Sequence, residues 1–212
     1  MVKGIDELDN MQIDVLREIG NIGAGNAATA LAKMLNKKVD MDVPRVKVLE
    51  FGEVSETLGG AELPVVGILL KMEGDLTGYI MFILQQSAAA MLVCMLMGIP
   101  TDSAEKEFTE RPFTEIEVSA LKEIGNILAG SYLSALSALT NLKIVPSVPD
   151  MAIDMAGAIL SVPAIEFGKV GDTVLYIETE FTEGEDKVVG DFLLVPDLKT
   201  YDILLKALGV IA

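Results

Sequence analysis

Glu18 and Asn21 stand three positions apart, and the same pair returns as Glu123 and Asn126. The chain of 212 residues has no histidine and one cysteine, Cys94. The commonest general base and the commonest metal ligand are therefore missing together. Ser-His-Asp and Cys-His catalysis are excluded, and a zinc site has no donor set. Carboxylates, amides and hydroxyls remain, or groups borrowed from a partner. An amide does not titrate and is a poor general base. It both donates and accepts, so it can hold a water in one orientation, as the glutamine of small GTPases does for water attacking a phosphoryl group. A glutamate can pair with a lysine in a partner's site and fix the register of docking. The combination suits hydrolysis of a phosphoryl group already mounted, activated and metal-bound on another protein. It suits a free small molecule poorly.

A helix must carry each pair. Ile13, Leu16, Ile19, Ala27, Leu31 and Met34 recur at near-helical spacing and mark a buried side. At about 100° per residue, Asp14, Glu18, Asn21 and Gly25 fall in one stripe about 60° wide, away from that side. Ser119, Glu123, Asn126 and Gly130 form the same stripe in the second copy. Burial would leave Glu and Asn unpaired at a cost of about 1–3 kcal/mol each, so the stripes are expected to face water or a partner. Glycine is the surprising residue here, since Gly20, Gly23 and Gly25 should each cost roughly 1 kcal/mol against alanine. Close packing explains Gly20 and Gly125, which fall toward the core. On the exposed stripe, Gly25 and Gly130 lower the wall so that another backbone can approach. Gly23 lies about 60° off the stripe axis. Its counterpart Leu128, and Ser131 in place of Asn26, are expected to make the two sites fit a partner differently.

The repeat extends well beyond the pairs. "LREIGNIGAGNAATALAKMLN" (Leu16 to Asn36) returns as "LKEIGNILAGSYLSALSALTN" (Leu121 to Asn141) after a shift of 105 positions. Asp9 with Gln12 resembles a capping box, and Thr114 with Glu117 is one in standard form at the same shift. Gly98 and Gly209 mark the ends of the copies, now 111 positions apart. The repeats span about residues 9–100 and 114–210, with a charged linker over about 101–113. Strands are expected at "PRVKVLEF", "VVGILLKM" and "GYIMFIL" in copy one and at "TVLYIETEF" and "VVGDFLLV" in copy two, each copy closing with a second helix. Two copies are too few for a solenoid. The expected fold is α+β: one pseudo-twofold domain, residues 1–212, with helices layered on a largely antiparallel sheet.

Composition narrows the partners. A formal charge of −16 argues against nucleic acid and favours a partner with a basic face. Cys94, inside "MLVCML", reads as a buried structural thiol in a reducing cytoplasm. The opening "MVKGIDELDN" has no apolar run of a signal peptide. From Leu76 to Thr101 no residue is charged, a span long enough for a bilayer. Gln85, Gln86 and Ser87 break it at the centre, so a buried strand followed by a helix is the better parse.

Asp14, Glu18, Asn21 and Pro44, and again Ser119, Glu123, Asn126 and Pro149, carry a resemblance. Each copy has 22 residues between its Asn and its Pro. The chain resembles the CheC/CheX/FliY phosphatases of bacterial chemotaxis, the CheC-type members most, over essentially its whole length. The resemblance implies dephosphorylation of the aspartyl phosphate on the response regulator CheY, whose own site supplies Mg²⁺ and a lysine. It implies that Glu18 and Glu123 orient the complex and that Asn21 and Asn126 align the attacking water. Asp14, Ser119, Pro44 and Pro149 would support them. Two motifs on one chain imply a monomer, and no metal of its own is implied. The deamidase CheD is an implied second partner. The copies differ most after their prolines, where "PDMAIDMAGAILSVPAIEF" reads as an extra short helix; Asp154 there is a candidate partner surface, although an ordinary core helix fits equally. The rival to catalysis is a binding module that sequesters phosphorylated CheY or CheD without turnover.

Overall fold

The protein is described from a computed structural model over residues 10–35, 38–99, 111–167, 173–183 and 186–209. The first capping residue Asp9, the linker up to position 110 and the terminal "VIA" lie outside the described residues. The first copy runs α1 (Asn10–Leu35), β1 (Asp40–Glu50), α2 (Phe51–Leu58), β2 (Pro64–Gly74), β3 (Gly78–Gln85) and α3 (Gln86–Met97). The second runs α4 (Glu115–Thr140), β4 (Ile144–Pro146), β5 (Asp150–Met155), α5 (Ala156–Phe167), β6 (Thr173–Glu183), β7 (Asp186–Pro196) and α6 (Leu198–Ala207).

All seven strands join one antiparallel sheet in the order β1-β6-β7-β3-β2, with β4 and β5 in line along the far side of β2. The central pair, β3 with β7, brings Phe82 opposite Phe192, their rings stacked at 4.7 Å. On each side of that pair the order is the same, so the pseudo-twofold passes between them. The outermost strands are exchanged. β1 of copy one pairs with β6 of copy two, and β5 of copy two pairs with β2 of copy one.

Period-two alternation along the strands gives the sheet two apolar faces. Val66, Ile68, Leu70, Phe82, Ile177 and Phe192 meet Leu16, Ile19, Leu121, Ile124 and Leu133 of α1 and α4, together with α3. Val65, Met81, Tyr176 and Leu193 face the other way, onto Val54 and Leu58 of α2 and Ile159 of α5. Each fully buried Leu or Ile contributes about 1.5–3 kcal/mol, so the two clusters fix the layers. Met34 is the exception on the expected buried side of α1, since it lies exposed in the last turn.

The uncharged stretch resolves into β3 and the 12-residue helix α3, with Cys94 fully buried. No helix among the described residues is long and apolar enough to cross a membrane. Two expectations are corrected. The strand in "PRVKVLEF" ends at Glu50, and Phe51 opens α2, whose start is closed by a backbone bond from Glu50 to the Glu53 carboxylate at 3.2 Å. In "PDMAIDMAGAIL" the first part is strand, not helix, and Asp154 lies on β5, exposed. Pairing with β2 puts Met151 opposite Ile68 and Ile153 opposite Val66, and this overrides the helix preference of Ala and Met. The copies therefore match after their prolines too, as α2 and α5 stand in equivalent places.

Candidate functional site

α1 and α4 place both stripes on the outer surface. Asp14, Glu18, Asn21 and Gly25 are exposed; Ser119 and Glu123 are exposed and Asn126 and Gly130 half-buried. Glu18 and Glu123 have no ionic partner among the described residues, which leaves both carboxylates for a partner. Asp14 is engaged on its own helix, accepting from Arg17 Nη1 at 2.9 Å, so it steadies the helix beside the site. Ser119 brings a hydroxyl to the equivalent position. Among the described residues no group of three acidic or thiol side chains could hold a metal ion.

The glycines divide by task. A Cβ on Gly20 would stand 3.1 Å from Val43 Cγ1, and one on Gly125 2.7 Å from Ile68 Cγ2, so both lie on the sheet as expected. At Gly25 and Gly130 an added Cβ would meet nothing within 4 Å. The stripe is open there. Gly23 is a correction. It is buried in the seam between α1 and α4, where a Cβ would lie 2.8 Å from the Tyr132 Cα. Leu128 is also buried, so neither residue borders the exposed stripe. The seam closes over the Tyr132 side chain, whose buried hydroxyl has no hydrogen-bond partner among the described residues. Desolvation pushes that hydroxyl's pKa up.

The two prolines sit at the same irregularity. In β1, Asp42 pairs with Glu180 and Arg45 with Glu178, so Val43 and Pro44 together oppose the single residue Thr179. That is a one-residue bulge, placed where proline, lacking an N–H, is tolerated. In copy two the pairing jumps from Pro146 opposite Met72 to Asp150 opposite Leu69, again one residue in excess, and Pro149 is the last residue before β5. The Val43 N–H, out of the ladder, donates to Asn21 Oδ1 at 3.3 Å. This backbone group was not among the sequence candidates; a proline inside an otherwise regular strand was its signal. In copy two Ser147 occupies the bulge, its Oγ accepting from the Lys71 N–H at 3.0 Å. Val148 is 84% exposed, and Asn126 makes no side-chain hydrogen bond to another described residue.

Away from the stripes, on the opposite sheet face, Tyr176 donates to Asp191 Oδ1 at 2.5 Å. Burial, with the negative Glu178 alongside, pushes the Asp191 carboxyl up to about 6 despite the tyrosine bond. At the start of α4, Arg111 grips both Glu117 oxygens at 2.7 and 2.8 Å, and Glu117 also accepts from the Thr114 N–H at 2.7 Å. The guanidinium and this capping box hold the Glu117 carboxyl at about 2, against the opposing effect of burial.

Comparison with known proteins matches the CheC-like family model twice, at residues 11–48 and 116–153, each containing one Glu–Asn pair and its proline. The chain is 42% identical over 200 residues to the CheY-P phosphatase CheC of Bacillus subtilis, spanning 93% of this chain and 94% of that protein. It is 32% identical to the flagellar motor switch phosphatase FliY of the same organism over 68% of this chain, but only 36% of FliY. The crystal structure of Thermotoga maritima FliY superposes with a TM-score of 0.74 at 26% identity, covering 95% of this chain and 99% of that one. The FliM middle domain of H. pylori shares the fold, with a TM-score of 0.70 at 15% identity over 94% of this chain and 99% of that one.

Proposed function

The chain belongs to the CheC-like family, and from that premise we propose that it hydrolyses the aspartyl phosphate of the chemotaxis response regulator CheY. Asn21 and Asn126 align the attacking water, and Glu18 and Glu123 pair with a cation of the docked partner. Water attacks phosphorus, the bond to the aspartyl oxygen breaks, and inorganic phosphate and a free carboxylate leave. The observation that carries this reading is the doubled Glu–Asn stripe on the outer side of both helices, each with a glycine beside it where an added Cβ would meet nothing. An amide without a neighbouring base is of use only where the phosphoryl group is already activated. On this reading Mg²⁺ and a lysine belong to the CheY site, as the resemblance to the family implies, and this chain supplies no metal.

The rest follows from the same reading. Each stripe presents its own Glu and Asn, so one chain is sufficient and acts as a monomer in the cytoplasm. Asp154, exposed beside Ile153 and Met155 on the edge strand β5, belongs to the surface that meets CheD. The test is phosphate release from phosphorylated CheY with this protein substoichiometric. Several turnovers per chain are expected, with none in the Asn21→Ala/Asn126→Ala double variant and CheY binding retained. Tight binding without turnover in the unaltered chain would instead establish a sequestering module. Continued multiple turnover in the double variant would remove the asparagines from the mechanism.

A further inference from the structure

Asn21 and Asn126 are equivalent in sequence and are held differently. Only the first is fastened to the sheet. The donor is a main-chain N–H, which can only give a hydrogen, so the side-chain atom facing it is the amide oxygen. One lone pair of Oδ1 is thereby occupied, and Nδ2 has no hydrogen-bond partner among the described residues. A free asparagine on a helix surface rotates about two torsions and presents either end of its amide. Asn21 bonded to Val43 presents one.

Three features of the chain produce that bond. Pro44 interrupts β1, the extra residue takes Val43 out of the ladder to β6, and the Val43 side chain is buried under Gly20. That packing needs glycine at position 20, since a Cβ there would press on Val43. We propose that the Val43 N–H is a positioning group: the bulge before Pro44 turns it toward α1 so that it sets the orientation of the Asn21 amide. This rests on the reading of Asn21 as the residue that aligns water. Preorganisation of this kind acts on kcat, since an amide already in place loses nothing at the moment of attack. Copy two lacks the device, with Ser147 turned to Lys71 and Val148 exposed.

Two measurements test it. The first is hydrogen exchange of the Val43 amide in the whole protein, which does not depend on phosphatase activity. Exchange is expected to be slow and to accelerate at least tenfold in Asn21→Ala. Equal rates in the two proteins would overturn the proposal. The second replaces the Val43 amide by an ester, which deletes the N–H and keeps the side chain, in an Asn126→Ala background where only copy one turns over. The expected result is roughly a tenfold fall in kcat with KM for phosphorylated CheY unchanged. Unchanged kcat, or a rise confined to KM, would show that the bond merely seats α1 and would overturn the positioning role. Failure of the phosphatase reading is distinguishable, because the unaltered chain would then release no phosphate while the exchange result still decides whether the bond forms.

Discussion

Individual glycines and one tyrosine on the two long helices make opposite demands on their neighbours. Gly23→Ala drives a Cβ into the α4 backbone and should destabilise the protein by about 1–3 kcal/mol in denaturant unfolding, as overpacking does. Gly25→Ala meets nothing and should stabilise it by up to about 1 kcal/mol through helix propensity. If the open position serves partner approach, that more stable variant should nonetheless lose kcat/KM on phosphorylated CheY. Unchanged kcat/KM would reduce Gly25 to a helix defect. Tyr132→Phe removes a buried hydroxyl that has no partner among the described residues, so it should be neutral or stabilising by about 1 kcal/mol. A clear loss of stability there would mean that the hydroxyl is satisfied in solution.

At the scale of elements, the clearest single device is the start of α4. Glu117 is held at about 2 by Arg111 and Thr114, below its ordinary 4.5, so its contribution is complete above pH 4.5 and is lost as the pH falls toward 2. Glu117→Gln should cost about 2–3 kcal/mol at pH 7, and the difference from the unaltered chain should shrink across that window. An equal cost at pH 7 and pH 2 would assign the effect to packing. The Thr114–Glu117 box was legible in the sequence because its signal is local, as were both long helices and the strands with strong alternation. α2 was missed although Glu53 and the Gly59–Gly60 stop were there to see, because eight residues are too few for a period to emerge from "FGEVSETL". β5 was misread because its partner β2 lies far away in sequence, and only that pairing makes "DMAIDM" a strand. The stripes were found from spacing alone. The bond that holds Asn21 was not, since a main-chain donor has no letter of its own.

For the molecule as a whole, pH acts in two directions. Asp191 has its carboxyl raised to about 6, so the folded state binds this proton more tightly than the unfolded chain does. Its stability contribution is greatest below about pH 3.8 and declines as pH rises to about 6. Asp191→Asn, keeping an acceptor for Tyr176, should therefore stabilise the protein by roughly 1–3 kcal/mol at pH 7 and flatten the stability curve between about pH 4 and 6. A gain in stability over the unaltered chain that is no larger at pH 7 than at pH 4 would refute the linkage. The exchange of outer strands has a consequence in time. The pairs that join β1 to β6 are separated by 123 to 142 positions along the chain. During synthesis β1 therefore leaves the ribosome long before the strand it pairs with has been made. The N-terminal half must wait with β1 unpaired, its backbone N–H and C=O groups open to neighbouring nascent chains, until Thr173 and the residues after it emerge. Pairing so distant is slow to form. A protein whose two halves look interchangeable on the page is thus completed only from its second half, and the waiting period is where a cell's chaperones would find it.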